Sequence, residues 1–177
     1  TLVIAANAPE RIAASVLNDV GPKLSIEGLS RIAGYVGVRA EVEDWAGAAA
    51  YVRTGNGVVF PHYGEADWDR MARRTFREEG GRPVLDYDPD IAVPIRAADP
   101  AAPAPDLWPF FGALVADKPA LLVRGSTSDI LSVEIADRMK AAAPHLTVAE
   151  VPGVGHAPML DEAEAFDAIL ALLAKSD

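Results

Sequence analysis

Between residues 119 and 173 short apolar runs alternate with helical stripes, and that alternation confines the chain to a narrow class of folds. Ala120-Leu121-Leu122-Val123 is a continuous apolar run suited to a strand buried on both faces. Ile135, Met139, Ala142 and Ala143 then recur at helical spacing and stop before Pro144. Leu146 to Val151 reads as a second strand. Phe166, Ile169, Leu170 and Leu173 mark a final helix, and Asp161-x-x-Glu164 resembles a capping box at its start. Strands separated by helices pair in parallel, through crossovers that place the helices on the sheet faces. The expected fold class is α/β.

Upstream, Ala13 to Asn18 is a further strand-like run, broken by Asp19-Val20-Gly21-Pro22. Residues 1–8, TLVIAANA, read as the tail of a helix before Pro9. From Ser25 to about Gly81 the character is helical. Ser25 is a candidate N-cap for a stripe through Ile26, Leu29, Ile32 and Val36, and Asp44 for one through Trp45, Ala48, Ala49 and Val52. A third stripe, Trp68, Met71, Ala72, Thr75 and Phe76, ends at Gly80-Gly81. No strand signal is evident there, so an all-helical insertion is expected. Residues 97–106 form a Pro/Ala-rich connector, and Leu107 to Val115 a short helix. The expected organisation is a partial core at 1–20 and 97–177 around a helical insertion at 21–96.

Sixteen basic against 26 acidic residues give a net charge of −10, and no Lys/Arg cluster stands out, which argues against a nucleic-acid partner. There is no cysteine, so neither a disulfide framework nor a thiolate site is available. No apolar run approaches the roughly 18 residues of a membrane span, and the first residues lack the basic region of a signal peptide. A soluble, cytoplasmic protein is expected. No His/Asp/Glu cluster has metal-ligand spacing and there is no Gly-x-Gly-x-x-Gly, so neither metal nor nucleotide cofactor is expected and the partner is a small-molecule substrate.

In open α/β sheets functional residues gather beyond the carboxyl ends of the strands. Asp129 falls there, behind Gly125-Ser-Thr-Ser128, as does His156, flanked by Gly153 and Gly155. One strand–helix–strand unit separates them, so neighbouring strands would bring the two loops within hydrogen-bonding reach. A base that takes a hydroxyl proton, with a carboxylate fixing its tautomer, is the pair a serine hydrolase needs. Asp129 is the favoured acid and His156 the base. Asp19, after the earlier strand, is a third residue at this edge, and it also suits a turn. Trp45, Phe60, Tyr63, Trp68 and Phe76 suit helix packing better than a substrate pocket. His62 and His145 read as loop or surface residues.

GVGHAPMLDEAEAF at 153–166 is similar to the segment bearing the catalytic histidine in many α/β-hydrolases. PALLVRGSTSDILS at 119–132 resembles their acid-bearing strand and loop, PERIAASVLNDVGP at 9–22 the stretch after the nucleophile helix, and LDYDPDIAVPI at 85–95 the return from the helical cap. The resemblance spans the chain and implies Asp129 as acid, His156 as base and the insertion as a cap; Asp19 competes with Asp129, because some members of the superfamily, haloalkane dehalogenases among them, draw the acid from the loop after this earlier strand. It also implies a nucleophile on a strand-to-helix turn, with an oxyanion hole beside it, in sequence upstream of Thr1. Gly28-Leu29-Ser30 lacks the second glycine of such a turn, Ser126 and Ser128 are not on an elbow, and Thr1 in a helix tail is a poor frame for an N-terminal nucleophile.

The expectation is therefore the C-terminal part of a hydrolase acting on a small, largely apolar ester, lactone or related carbonyl compound. Its missing N-terminal part carries the serine, and the isolated chain is inactive. The alternative is a non-catalytic binding or assembly module retaining half of the fold.

Overall fold

The computed structural model describes residues 1–38, 40–97 and 105–175. In chain order the elements are α1 (Leu2–Asn7), β1 (Ser15–Asn18), α2 (Ile26–Ala33), α3 (Trp45–Asn56), α4 (Glu65–Thr75), β2 (Phe76–Glu79), β3 (Arg82–Leu85), α5 (Val93–Ala97), α6 (Trp108–Val115), β4 (Ala120–Gly125), α7 (Val133–Ala142), β5 (Thr147–Val151) and α8 (Ala163–Leu173). They divide into two compact units, one of Thr1–Leu29 with Ala104–Asp177 and the other of Ser30–Pro103. Of the connector expected at 97–106, residues 98–104 lie outside the described residues.

The first unit is a parallel three-stranded sheet in the order β1-β4-β5. Ser15 pairs with Ala120 and Asn18 with Val123 on one side of β4, while Leu121 pairs with Thr147 and Gly125 with Val151 on the other. All six residues of β4 are buried, as its uninterrupted apolar run requires. Ala120 and Leu122 belong to a core with Ala5 of α1, Phe111, Leu114 and Val115 of α6, and Ala136 and Met139 of α7. Leu121 and Val123 alternate to the opposite face, and α8 packs along β4 and β5 with Ala165 and Leu172 buried. Burial at this scale supplies most of the fold's stabilisation, about 1.5–3 kcal/mol for each large apolar side chain.

The helix caps are partly as expected. Ser25 Oγ accepts from Gly28 N, and Asp44 Oδ1 accepts from Gly47 N at 2.7 Å. At the start of α8 the N-cap is Glu162, one residue after the Asp161 expected to open the helix, and its Oε1 accepts from Met159 N at 2.9 Å, in the preceding loop. Residues 21–29 pack with the sheet unit, Ser25 N donating to Ile130 O, so the division falls after Leu29 where the sequence pattern suggests residue 20.

The second unit is not all-helical. β2 and β3 form an antiparallel hairpin in which Phe76 faces Leu85 and Glu79 faces Arg82. Gly80 and Gly81 both have positive φ, 59° and 80°, which suits a two-residue hairpin turn. The glycine pair thus reverses the chain between strands instead of merely ending a helix, and α4 stops at Thr75. On the helical side α3 packs on α4 through Ala48, Val52, Trp68, Met71 and Ala72, all buried. Phe60 stacks on Tyr63 at 4.5 Å and Tyr63 meets Trp68 edge-on at 5.1 Å, so these aromatics pack on one another.

Candidate active site

β1, β4 and β5 run in parallel, so their carboxyl ends lie side by side and the loops that follow share one edge of the sheet. The loop after β4 and the loop after β5 are joined by main-chain and hydroxyl bonds. Ser126 N donates to Val151 O at 2.9 Å, Thr127 N to Val154 O at 3.0 Å, and Gly153 N to Ser126 Oγ at 2.8 Å. Gly153 reverses the chain at φ 67°. The stretch beyond His156 is tied to β1 by Asn18 Nδ2, which donates to Pro158 O at 3.0 Å.

Asp19 follows β1 directly and takes a left-handed backbone conformation, φ 55°, which Asp tolerates better than most residues. Its N–H donates to Val123 O at 2.7 Å, which places its side chain at the end of β4. Oδ1 accepts from Gly125 N at 2.9 Å, and Oδ2 accepts from Ser128 Oγ at 2.5 Å. Oδ2 also lies 2.9 Å from His156 Nδ1. The Asp19 side chain is fully buried, whereas that of His156 is 18% exposed.

The sequence pattern favours Asp129 as the partner of His156; the carboxylate bonded to the imidazole is Asp19. Asp129 is exposed, and its carbonyl oxygen lies where a β-carbon on Gly28 would come within 2.4 Å of it. The turn after Gly125 instead brings the Ser128 hydroxyl inward, onto Asp19. A strand-following Asp beside Asn, ahead of a Gly-Pro break, was the signal for Asp19, and it was indistinguishable from an ordinary turn. Ser128 has no role in the sequence pattern. Its part appears only once the two loops meet.

A carboxylate only accepts hydrogen bonds, so Nδ1 of His156 donates and the neutral ring keeps its lone pair on Nε2. Such an arrangement can present a base whose tautomer is set by a buried carboxyl group. Ser126 is held by Gly153, Ser128 by Asp19, and His62 is exposed in the second unit. His145 bonds through Nε2 to Val115 O, away from this edge. Among the described residues no group of three or more His, Asp or Glu side chains could hold a metal ion, and no helix is long and apolar enough to cross a membrane.

Residues 3–169 match the profile of the alpha/beta hydrolase family. The chain belongs to that family. Within it, a 3-hydroxybutyrate-oligomer hydrolase of Cupriavidus necator is 36% identical over 150 residues, which are 81% of this chain and 50% of that protein. The crystal structure of an alpha/beta hydrolase from Novosphingobium aromaticivorans superposes with a TM-score of 0.88 at 45% identity, covering 98% of this chain and 61% of that one. The structure of E-2-(acetamidomethylene)succinate hydrolase, at 22% identity and a TM-score of 0.73, shares the fold and is covered to 62%. The chain thus spans about half the length of the curated relative and about three-fifths of these solved hydrolases. Asp19 and His156 meet at the carboxyl ends of the parallel strands, the edge at which open α/β sheets bind ligands.

Proposed function

We propose that this chain is the C-terminal part of an α/β-hydrolase-fold esterase and supplies the histidine and carboxylate of a serine hydrolase's triad. His156 takes the proton of a serine hydroxyl at Nε2 as that oxygen attacks the ester carbonyl. It then returns the proton to the leaving alkoxide, and repeats both transfers with water to release the acid. Asp19 holds the imidazole in the required tautomer and stabilises the imidazolium. The single observation supporting this reading is the 2.9 Å contact between His156 Nδ1 and the buried Asp19 carboxylate.

The serine and the oxyanion-hole N–H groups belong, in this reading, to sequence upstream of Thr1. β1 is an edge strand of its sheet, and Val16 on it is 38% exposed. Val3 and Ile4 are exposed as well, at 68% and 48%. A strand with one open edge, flanked by apolar side chains, is what a preceding half of the sheet would cover. The second unit serves as a cap, and the substrate is a small, largely apolar ester. Short 3-hydroxyacid ester oligomers are the first to try, because the Cupriavidus necator relative is named for them.

The test is labelling by a fluorophosphonate, alongside hydrolysis of p-nitrophenyl butyrate and a 3-hydroxybutyrate dimer. The 177-residue chain alone stays unlabelled, while a product that includes the upstream sequence is labelled and active, and loses activity with His156→Ala. Activity that survives His156→Ala rules the reading out. A longer product that neither labels nor hydrolyses either ester favours a binding or assembly module.

A further inference from the structure

Ser128 makes more contacts than a turn serine needs. Its Oγ receives the N–H of Ile130 at 3.2 Å and that of Leu131 at 3.0 Å, and it lies 2.5 Å from Asp19 Oδ2. A hydroxyl has one proton to give and two lone pairs to receive with. Both lone pairs are taken by main-chain donors, and a carboxylate has no proton to offer. The Ser128 proton therefore points at Asp19 Oδ2. Ser128 N in turn donates to Gly125 O at 3.0 Å, so the hydroxyl sits on a closed turn at the end of β4.

The oxygen that Ser128 holds is the one bonded to His156. Oδ1 is fixed by Gly125 N at 2.9 Å. With these two donors the carboxylate of Asp19 cannot rotate, and Oδ2 stays in line with the imidazole. A charge-assisted hydrogen bond of this kind is stronger than a neutral one and is lost outright when the hydroxyl is removed. Buried at 0% exposure, Asp19 has no bulk water to replace it.

We propose that Ser128 is a positioning residue for hydrolysis: it orients the Asp19 carboxylate that orients His156, and touches neither substrate nor nucleophile. This rests on the reading of Asp19 and His156 as acid and base.

The experiment compares Ser128→Thr and Ser128→Val, which share a shape and differ in the hydroxyl, with Ser128→Ala as a third variant, in the active protein that includes the upstream sequence. Ser128→Val and Ser128→Ala lower kcat about 10- to 100-fold with KM unchanged, the scale on which removal of an active group's outer hydrogen-bond partners is felt. They also move the low-field proton resonance of His156 Nδ1–H. Ser128→Thr restores both. A role confined to the turn would lower the melting temperature of Ser128→Val without moving that resonance. Unchanged kcat and resonance in Ser128→Val, while Asp19→Asn abolishes activity, overturns the proposal for Ser128 alone. Full activity in Asp19→Asn instead removes the reading beneath it.

Discussion

Gly125 lies so close to the loop after β5 that a β-carbon on it would sit 2.5 Å from the carbonyl oxygens of both Gly155 and Val154. Both atoms are main chain, so neither can swing aside. This close approach lets the loop carrying Ser128 and the loop carrying His156 meet over Asp19. Replacing Gly125 with Ala must push the loops apart, at a cost of about 1–3 kcal/mol typical of overpacking. Displacing His156 by even about 1 Å would lower kcat on the order of 100-fold in the active protein. Urea unfolding and ester hydrolysis check the two effects. A Gly125→Ala protein of unchanged stability and activity would contradict the packing described.

The hairpin of the second unit depends on its turn. Gly80 and Gly81 hold φ of 59° and 80°, and nothing lies within 4 Å of a β-carbon built at either. Only backbone strain therefore opposes a side chain. Gly81→Val costs about 1–2 kcal/mol, the penalty of a left-handed conformation for an L-residue. Hydrogen exchange locates the effect: amides of β2 and β3 exchange faster while those of β4 keep their protection. Equal acceleration in β4 would show that the two units unfold as one.

Tyr51 reports on the same unit. Burial raises its phenol above the ordinary value of 10.0, and the charge of Tyr87 adds to the shift. Tyr51 packs edge-on against Phe76 at 5.7 Å. A group whose folded pKa is raised contributes stability that is fully present below its unfolded value and lost as pH rises through the folded one. The relevant window is thus alkaline, above pH 10.0. In an ultraviolet titration of phenolate absorbance, a component titrating above pH 10.0 should vanish in Tyr51→Phe. Its persistence would assign the shift elsewhere.

The parallel sheet was legible because β4 is buried on both faces and so must be apolar throughout, and because α7 and α8 show helical stripes on either side of β5. The hairpin was not, because β2 and β3 are four residues each, with three charged and exposed residues in β2 and a proline in β3, FREE and RPVL. Their pairing comes from the Gly80-Gly81 turn, and the same glycines also end helices. The place of His156 at the sheet edge was legible from its glycine-flanked loop. Its partner was not, since two aspartates follow strands and only the loop conformation separates them. Three main-chain and hydroxyl contacts decide it: Asp19 N to Val123 O, Gly125 N to Asp19 Oδ1, and Ser128 Oγ to Asp19 Oδ2. None depends on a residue type that singles out one aspartate in advance.

The pairing of Asp19 with His156 is tested most directly by removing one charge at a time without changing shape. In the active protein that includes the upstream sequence, kcat for a short-chain ester is measured for Asp19→Asn and Asp129→Asn in parallel. Asp19→Asn leaves His156 Nδ1 facing an amide and should lower kcat roughly 10⁴-fold, as loss of a triad carboxylate does elsewhere. Asp129→Asn should leave kcat within about threefold, since Asp129 is exposed and the carboxylate bonded to His156 is that of Asp19. A collapse of kcat in Asp129→Asn with Asp19→Asn unimpaired would move the acid to Asp129 and contradict the account.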